Sequence, residues 1–92
     1  MTSSNSRVVL SDIYKTQGLA TREAATAIAD RVRQLDESEV EIDFSGTNYA
    51  SIAFLDQLQH DLRTTGKSIR YVNVSDFIQQ LIDVIERRRV AG

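Results

Sequence analysis

Three short stretches of the chain have the hydrophobic pattern of a strand: the first is a short apolar run, and in the other two apolar and polar residues alternate. The alternation is clearest over residues 39–45, where Val40, Ile42 and Phe44 are separated by polar side chains. A period of two is typical of a strand with one buried face. A strand covered by helices on both faces would read as a continuous apolar run, so this pattern predicts a sheet with one open face. Residues 7–10 and 69–74 predict the first and third strands, and residues 13–14 either extend the first strand or pack in the next loop.

Helical periodicity follows each predicted strand. Thr21 is suited as the N-cap of a first helix that runs to Leu35. A second helix begins at Ser51 and ends before Gly66, because glycine readily takes the left-handed conformation that stops a helix. Ser75 is expected to cap a third helix. The apolar helical positions are Ala24, Ala25, Ile28, Ala29, Val32 and Leu35, then Phe54, Leu55, Leu58 and Leu62, then Phe77, Ile78, Leu81, Ile82 and Ile85.

The predicted order of elements is β-α-β-α-β-α. Strands joined by helical crossovers run parallel and the crossovers are right-handed. The predicted fold class is therefore α/β, with a small single-layer, mostly parallel sheet and helices mainly on one face. We predict one domain over residues 7–90, a flexible N-terminal tail over residues 1–6 and a turn or loop at residues 15–18. Ninety-two residues leave no room for a second domain.

Composition narrows the class of protein. A hydrophobic content of 41% with 26% charged residues is ordinary for a soluble globular chain and excludes a disordered one. The formal charge of -2 gives no general attraction to nucleic acid or acidic membranes, and residues 87–89, three arginines, are interpreted as cations that complement a helix C-terminus. No apolar run reaches membrane-spanning length and no signal-peptide pattern opens the sequence. We expect a cytoplasmic protein that binds neither nucleic acid nor membrane.

Candidates for catalysis are few. The chain has no cysteine and one histidine, His60, so neither thiolate chemistry nor a zinc site is expected. No glycine-rich phosphate loop is present, and we expect no cofactor. The carboxylates Glu39, Glu41 and Asp43 share the open face of the predicted sheet and lack a defined catalytic partner. These observations predict a protein that is not an enzyme.

The strand-turn-helix over residues 43–58 is the candidate functional segment. Asp43 lies near the C-terminal end of the predicted strand, at the edge of the sheet where ligands gather. Ser51 opens the next helix, whose free N–H groups and partial positive charge accommodate a phosphate or a partner's carboxylate. Two interpretations of Ser51 stay open: an N-cap, or a regulatory phosphoacceptor that gains about two negative charges. Tyr49 either shapes the surroundings of Ser51 or, the favoured interpretation, packs over the edge of the core. The predicted partner-docking or ligand-binding edge consists of Asp43, Gly46, Thr47, Asn48, Tyr49 and Asp56.

Three motifs in this order resemble the STAS-like domain family of uncharacterised proteins. That family has an L-x-[ST]-R-x-x-A helix start, then D-F-x-G, then S-x-x-F-x-D-[EQ]-L. The corresponding residues here are 19–25, 43–46 and 51–58, and the resemblance extends over residues 7–86. It implies a STAS-like fold.

The family is similar in turn to the STAS domains of anti-sigma factor antagonists. Those small regulators bind a histidine-kinase-like ATPase, which phosphorylates a serine at the start of the helix after the central strand. The resemblance places this phosphoacceptor at Ser51. The antagonists carry an acidic residue before the serine and a glycine after it, whereas this chain reads Ala50-Ser51-Ile52-Ala53-Phe54.

Two functions from different classes follow. The first is a non-enzymatic regulatory or protein-interaction module whose partner is a protein, such as a histidine-kinase-like ATPase or a serine kinase. The second is a small-ligand sensor that holds a nucleotide or another anion near Asp43, Gly46 and Ser51. A weak homodimer through the open sheet face is a further expectation, with Ile69 and Tyr71 beside the acidic row of the second strand.

Overall fold

A sheet of three parallel strands forms the base of the fold. The computed structural model describes residues 5–13, 21–47 and 49–91. The sheet order is β1 (Asn5–Val9), β2 (Glu39–Asp43) and β3 (Ser68–Val72), with β2 in the centre. The helices of the described residues are α1 (Leu10–Ile13), α2 (Arg22–Arg33), α3 (Ile52–Arg63) and α4 (Asp76–Ala91). The predicted α/β class and the parallel sheet are confirmed.

The core lies between one face of the sheet and the helices. The strand register places Val8 beside Ile42 and Ile42 beside Tyr71 on this face. Arg7, Glu41 and Arg70 are the corresponding register partners on the opposite, open face. The buried apolar residues form one cluster: Val8, Leu10, Ala24, Ala25, Ile28, Ala29, Val32, Val40, Ile42, Phe44, Ala50, Phe54, Leu55, Leu58, Leu62, Ile78, Ile82 and Ile85.

Hydroxyl side chains cap the three long helices as the sequence predicts. Thr21 Oγ1 accepts a hydrogen bond of 3.1 Å from the amide of Ala24, and Ser75 Oγ accepts one of 3.2 Å from the amide of Ile78. Each bond satisfies an N–H group that has no partner within its helix. The predicted left-handed glycine after α3 is also confirmed, since Gly66 has a φ of 75°.

The beginning of the fold differs from the prediction. β1 starts at Asn5, so Asn5 and Ser6, predicted as part of the tail, lie in the sheet. After Val9 the chain turns into α1 instead of extending the strand. Leu10 is fully buried and Ile13, three residues later, packs on the same core; a helix places residues at this spacing on one face, whereas a strand places them on opposite faces. Residues 1–4 and the predicted loop at residues 15–18 lie outside the described residues.

The expectation that Ile69 and Tyr71 occupy the open face is wrong. Ile69 is the register partner of Val40, and the side chains of Ile69 and Tyr71 both pack against the core. The Tyr71 ring meets Phe44 edge to face, with 5.9 Å between ring centroids. β3 also ends at Val72, two residues earlier than predicted, where Asn73 takes a left-handed φ of 56°.

Candidate functional site

The open face of the sheet carries paired charges rather than a bare acidic row. Glu41 accepts a hydrogen bond of 2.8 Å from Arg7 Nη2 and one of 2.6 Å from Arg70 Nη2. The hydrogen bond from Arg70, followed by that from Arg7, lowers the pKa of the Glu41 carboxyl group below its ordinary value. The two arginines are more than half exposed and offset the negative charge of β2.

Asp43 is buried at the carboxyl end of β2. Only 4% of the residue is exposed, although the sequence places it on the solvated face. Its Oδ1 accepts hydrogen bonds from the Ser45 amide at 2.8 Å and from Asn73 Nδ2 at 3.0 Å, and Arg7 Nη1 lies 3.4 Å from Oδ2. The left-handed backbone of Asn73 accompanies this contact. Asp43 therefore ties the end of β2 to its own loop and to the end of β3.

Hydrogen bonds from the Ser45 and Asn73 side chains and from the Ser45 backbone lower the pKa of Asp43. A carboxyl group whose pKa is lowered in the folded state stabilises the fold when it is ionised. This stabilisation is complete at pH values above the unfolded pKa of about 3.9 and is lost as the pH falls through the folded pKa. We expect the urea concentration at the unfolding midpoint to decrease as the pH is lowered below about 4. In Asp43→Asn this decrease should be smaller, because the substituted side chain does not titrate. A profile of Asp43→Asn as steep as that of the natural chain would contradict this prediction.

Gly46 and Thr47 form a tight turn after β2. The Thr47 amide donates a hydrogen bond of 2.9 Å to the Phe44 carbonyl, and Gly46 has a φ of 77°. A glycine with positive φ at the third position is typical of a type II turn. A Cβ atom at Gly46 would contact the Ser11 side chain at 3.6 Å, so the turn also rests near α1. Asn48 lies outside the described residues.

Ser51 is the N-cap of α3. Its backbone is extended, with φ of −82° and ψ of 160°, and its Oγ accepts a hydrogen bond of 3.0 Å from the Phe54 amide. The side chain is half-buried. The N-cap interpretation is confirmed, and phosphorylation of the same hydroxyl stays a prediction.

Three large apolar side chains are exposed in the described part of the chain: Tyr49, Ile52 and Phe77. Tyr49 and Phe77 are each 48% exposed, and their rings stack with centroids 6.2 Å apart and an interplanar angle of 21°. Phe77, predicted as an apolar contact of the third helix, thus packs on the Tyr49 ring and remains about half exposed. We call Tyr49, Ile52 and Phe77 the apolar patch, which includes residues on both sides of Ser51 in the sequence.

The helical spacing of the apolar residues in α4 would have predicted that Phe77 is exposed. α4 buries Ile78, Ile82 and Ile85, which follow the i, i+4, i+7 spacing of one helix face. Phe77 lies one residue out of that series, which rotates it away from the core by about 100°. No comparable pattern identifies Tyr49, because it precedes α3 and belongs to no periodic segment.

Asp56 lines a groove formed by α2, α3 and α4. The groove encloses about 450 Å³ and its lining residues are Arg22, Ile52, Ala53, Asp56, Ile85 and Arg88. Asp56 Oδ2 lies 3.9 Å from Arg22 Nη1, which also donates a hydrogen bond of 3.1 Å to Gln57 Oε1. Ile52 belongs both to this groove and to the apolar patch. Sequence reasoning identified Asp56 but missed the arginines, which only the packing of the helices brings to it.

Within the described part of the chain, no group of three or more histidine, aspartate or glutamate side chains could hold a metal ion. His60 lies on the exposed side of α3.

The helices of the described residues are all too short or too polar to cross a membrane.

Comparison with known proteins gives no relative for this chain. No protein-family model matches it, and searches of curated proteins and of solved structures found no match.

Proposed function

We propose that the chain is a non-enzymatic regulatory module, similar to STAS domains, that docks a protein partner around the N-terminus of α3. The observation that carries this proposal is the apolar patch: Tyr49 and Ile52 lie on either side of Ser51 in the sequence, and Phe77 stacks on Tyr49. Exposed apolar groups that cluster, unlike those scattered singly, are typical of interaction sites.

The stacked pair is suited to binding because each ring already packs against the other. Aromatic side chains are enriched at protein interfaces and account for much of the binding energy there. The rings of Tyr49 and Phe77 support one another, so less rotamer entropy is lost when a partner covers them. The patch therefore offers an anchor that requires little rearrangement.

Ser51 connects this surface to regulation. A phosphate on its Oγ would carry about two negative charges and would be favoured by the positive end of α3. It would stand between Tyr49 and Ile52 in the sequence, within the docking surface rather than in the core. By resemblance to the anti-sigma factor antagonists, the kinase would be the partner itself, a histidine-kinase-like ATPase or a serine kinase.

The alternative, a nucleotide or anion sensor at the end of β2, has less support. The Asp43 carboxylate at this edge would repel an anion, and its oxygens already accept hydrogen bonds from Ser45 and Asn73. The Ser51 hydroxyl is likewise engaged by the Phe54 amide.

Two substitutions at Ser51 separate charge from capping. Aspartate and asparagine are both good N-caps and similar in size, so either keeps α3 intact. We expect Ser51→Asp to weaken partner binding about tenfold relative to Ser51→Asn, because only aspartate adds charge at the docking surface. Binding is measured by titrating the partner captured from native lysate against each variant.

Intact-mass analysis of the chain from its native host gives the matching chemical test. Phosphorylation at Ser51 should appear as a modified fraction that phosphatase removes. An unmodified Ser51 together with equal binding by the aspartate and asparagine variants would contradict the regulatory proposal.

A further inference from the structure

The groove beside the apolar patch combines an apolar wall with an excess of positive charge. Ile85 is buried and forms apolar lining, and Ile52, 37% exposed, lines the groove as well. Arg22 and Arg88 bring two positive charges to the groove, and Asp56 brings one negative charge. The groove is thus cationic within a chain whose formal net charge is -2.

The two arginines differ in their ion-pair and hydrogen-bond partners. Arg22 is held by the long ion pair with Asp56 and by its hydrogen bond to Gln57. Arg88 is exposed and forms no hydrogen bond or ion pair with any side chain or backbone group that the structure describes. Its guanidinium group therefore has its full set of donors available to a carboxylate, which arginine binds in a two-pronged geometry.

We propose that this groove binds an acidic segment of the partner protein, with one apolar side chain placed against Ile52 and Ile85 and a neighbouring carboxylate on Arg88. The inference rests on the proposed function, because it specifies the partner chemistry for the surface around the N-terminus of α3. A volume of about 450 Å³ accommodates a large apolar side chain and a carboxylate. The positive end of α3, where Ile52 and Ala53 are the first residues, favours the same negative charge.

Selection of peptides tests the chemistry without knowledge of the natural partner. The probe is a random twelve-residue phage-displayed library, selected on the full chain. We expect the enriched peptides to share an apolar residue next to aspartate or glutamate. Their affinity for the full chain is then measured by fluorescence anisotropy, and binding should weaken as salt concentration rises.

Charge reversal at two neighbouring arginines locates the binding. We expect Arg88→Glu to weaken the selected peptide at least tenfold, and the same peptide with lysine in place of its acidic residue to recover affinity for that variant. Arg87→Glu is the matched control: Arg87 is also exposed in the last turns of α4 but does not line the groove, and its variant should bind as the natural chain does. Thermal unfolding of both variants establishes that the fold is intact, and Arg22→Gln provides a second, milder variant of the groove.

Several results would overturn the inference. One is a selection that yields no acidic peptides, and another is an equal loss of affinity from Arg88→Glu and Arg87→Glu. A third is a concentration-dependent dimer that Arg88→Glu abolishes, because a second copy of the chain would then be the occupant of the groove. Peptides that bind only through Tyr49 and Phe77 would overturn the acidic segment and leave the proposed docking function standing. The same conclusion would follow if Tyr49→Ala and Phe77→Ala both failed to bind the native partner while Arg88→Glu bound it normally.

Discussion

Replacement of Phe54 by alanine is expected to destabilise the chain by about 3–5 kcal/mol, the cost of truncating a fully buried phenylalanine. Phe54 is fully buried in the first turn of α3, and its amide donates a hydrogen bond to Ser51 Oγ. Packing of the Phe54 side chain in the core therefore also fixes the position of the amide that Ser51 caps. A chain of 92 residues is stabilised by roughly 5–14 kcal/mol in total. The substitution therefore removes a large part of the free energy of unfolding, measured by urea denaturation with circular dichroism.

Phe77→Ala is the matched control for this prediction. Phe77 lies in the first turn of α4, as Phe54 does in α3, but almost half of its surface is exposed. Its truncation should change the free energy of unfolding by less than about 1 kcal/mol. Equal losses for the two variants would show that the stacked rings serve the fold and would argue against the apolar patch as a docking surface.

The parts of the fold that local pattern determines could be predicted. Val40, Ile42 and Phe44 alternate with polar residues, which identifies both β2 and its buried face. Thr21 and Ser51 precede periodic apolar segments, and both cap helices, because a cap depends on residues only three positions away. Such features need no knowledge of how distant segments pack.

Features that depend on distant segments could not be predicted. In β3 the apolar and polar residues do not separate cleanly between faces, so only the pairing with β2 shows that Ile69 and Tyr71 face the core. The burial of Asp43 requires Asn73, thirty residues later, to take a left-handed backbone and donate to it. The cationic groove likewise requires α2, α3 and α4 to meet.

The motifs that carry the STAS-like resemblance have structural roles in this fold. Arg22 of the first motif contacts Asp56 and Gln57 of the third, so two motifs meet across the α2–α3 interface. Asp43 of the second motif joins the ends of two strands. Their occurrence in one chain thus has a physical reason in packing, and function must be argued from the exposed residues beside them.

The strongest test of the docking proposal is the double variant Tyr49→Ala, Phe77→Ala. We expect it to weaken the partner captured by the natural chain by at least about 2 kcal/mol, roughly thirtyfold, the effect of truncating an aromatic anchor at an interface. Because the rings stack on each other, the single variants should not add: whichever ring is removed first leaves the other without support. The measurement is a titration of the purified partner against all four chains, analysed as a double-mutant cycle.

Two further variants distinguish this surface from the rest of the molecule. His60→Ala changes an exposed residue of α3, so it should leave the affinity unchanged. Arg70→Glu changes the open sheet face, where the arginine pairs with Glu41. If the double variant binds normally and Arg70→Glu does not, the partner docks on the open face, and the exposed aromatic stack is not its binding site. If only the double variant fails, the N-terminus of α3 is the docking surface, because loss of apolar contact there is the one change that the other variants do not share.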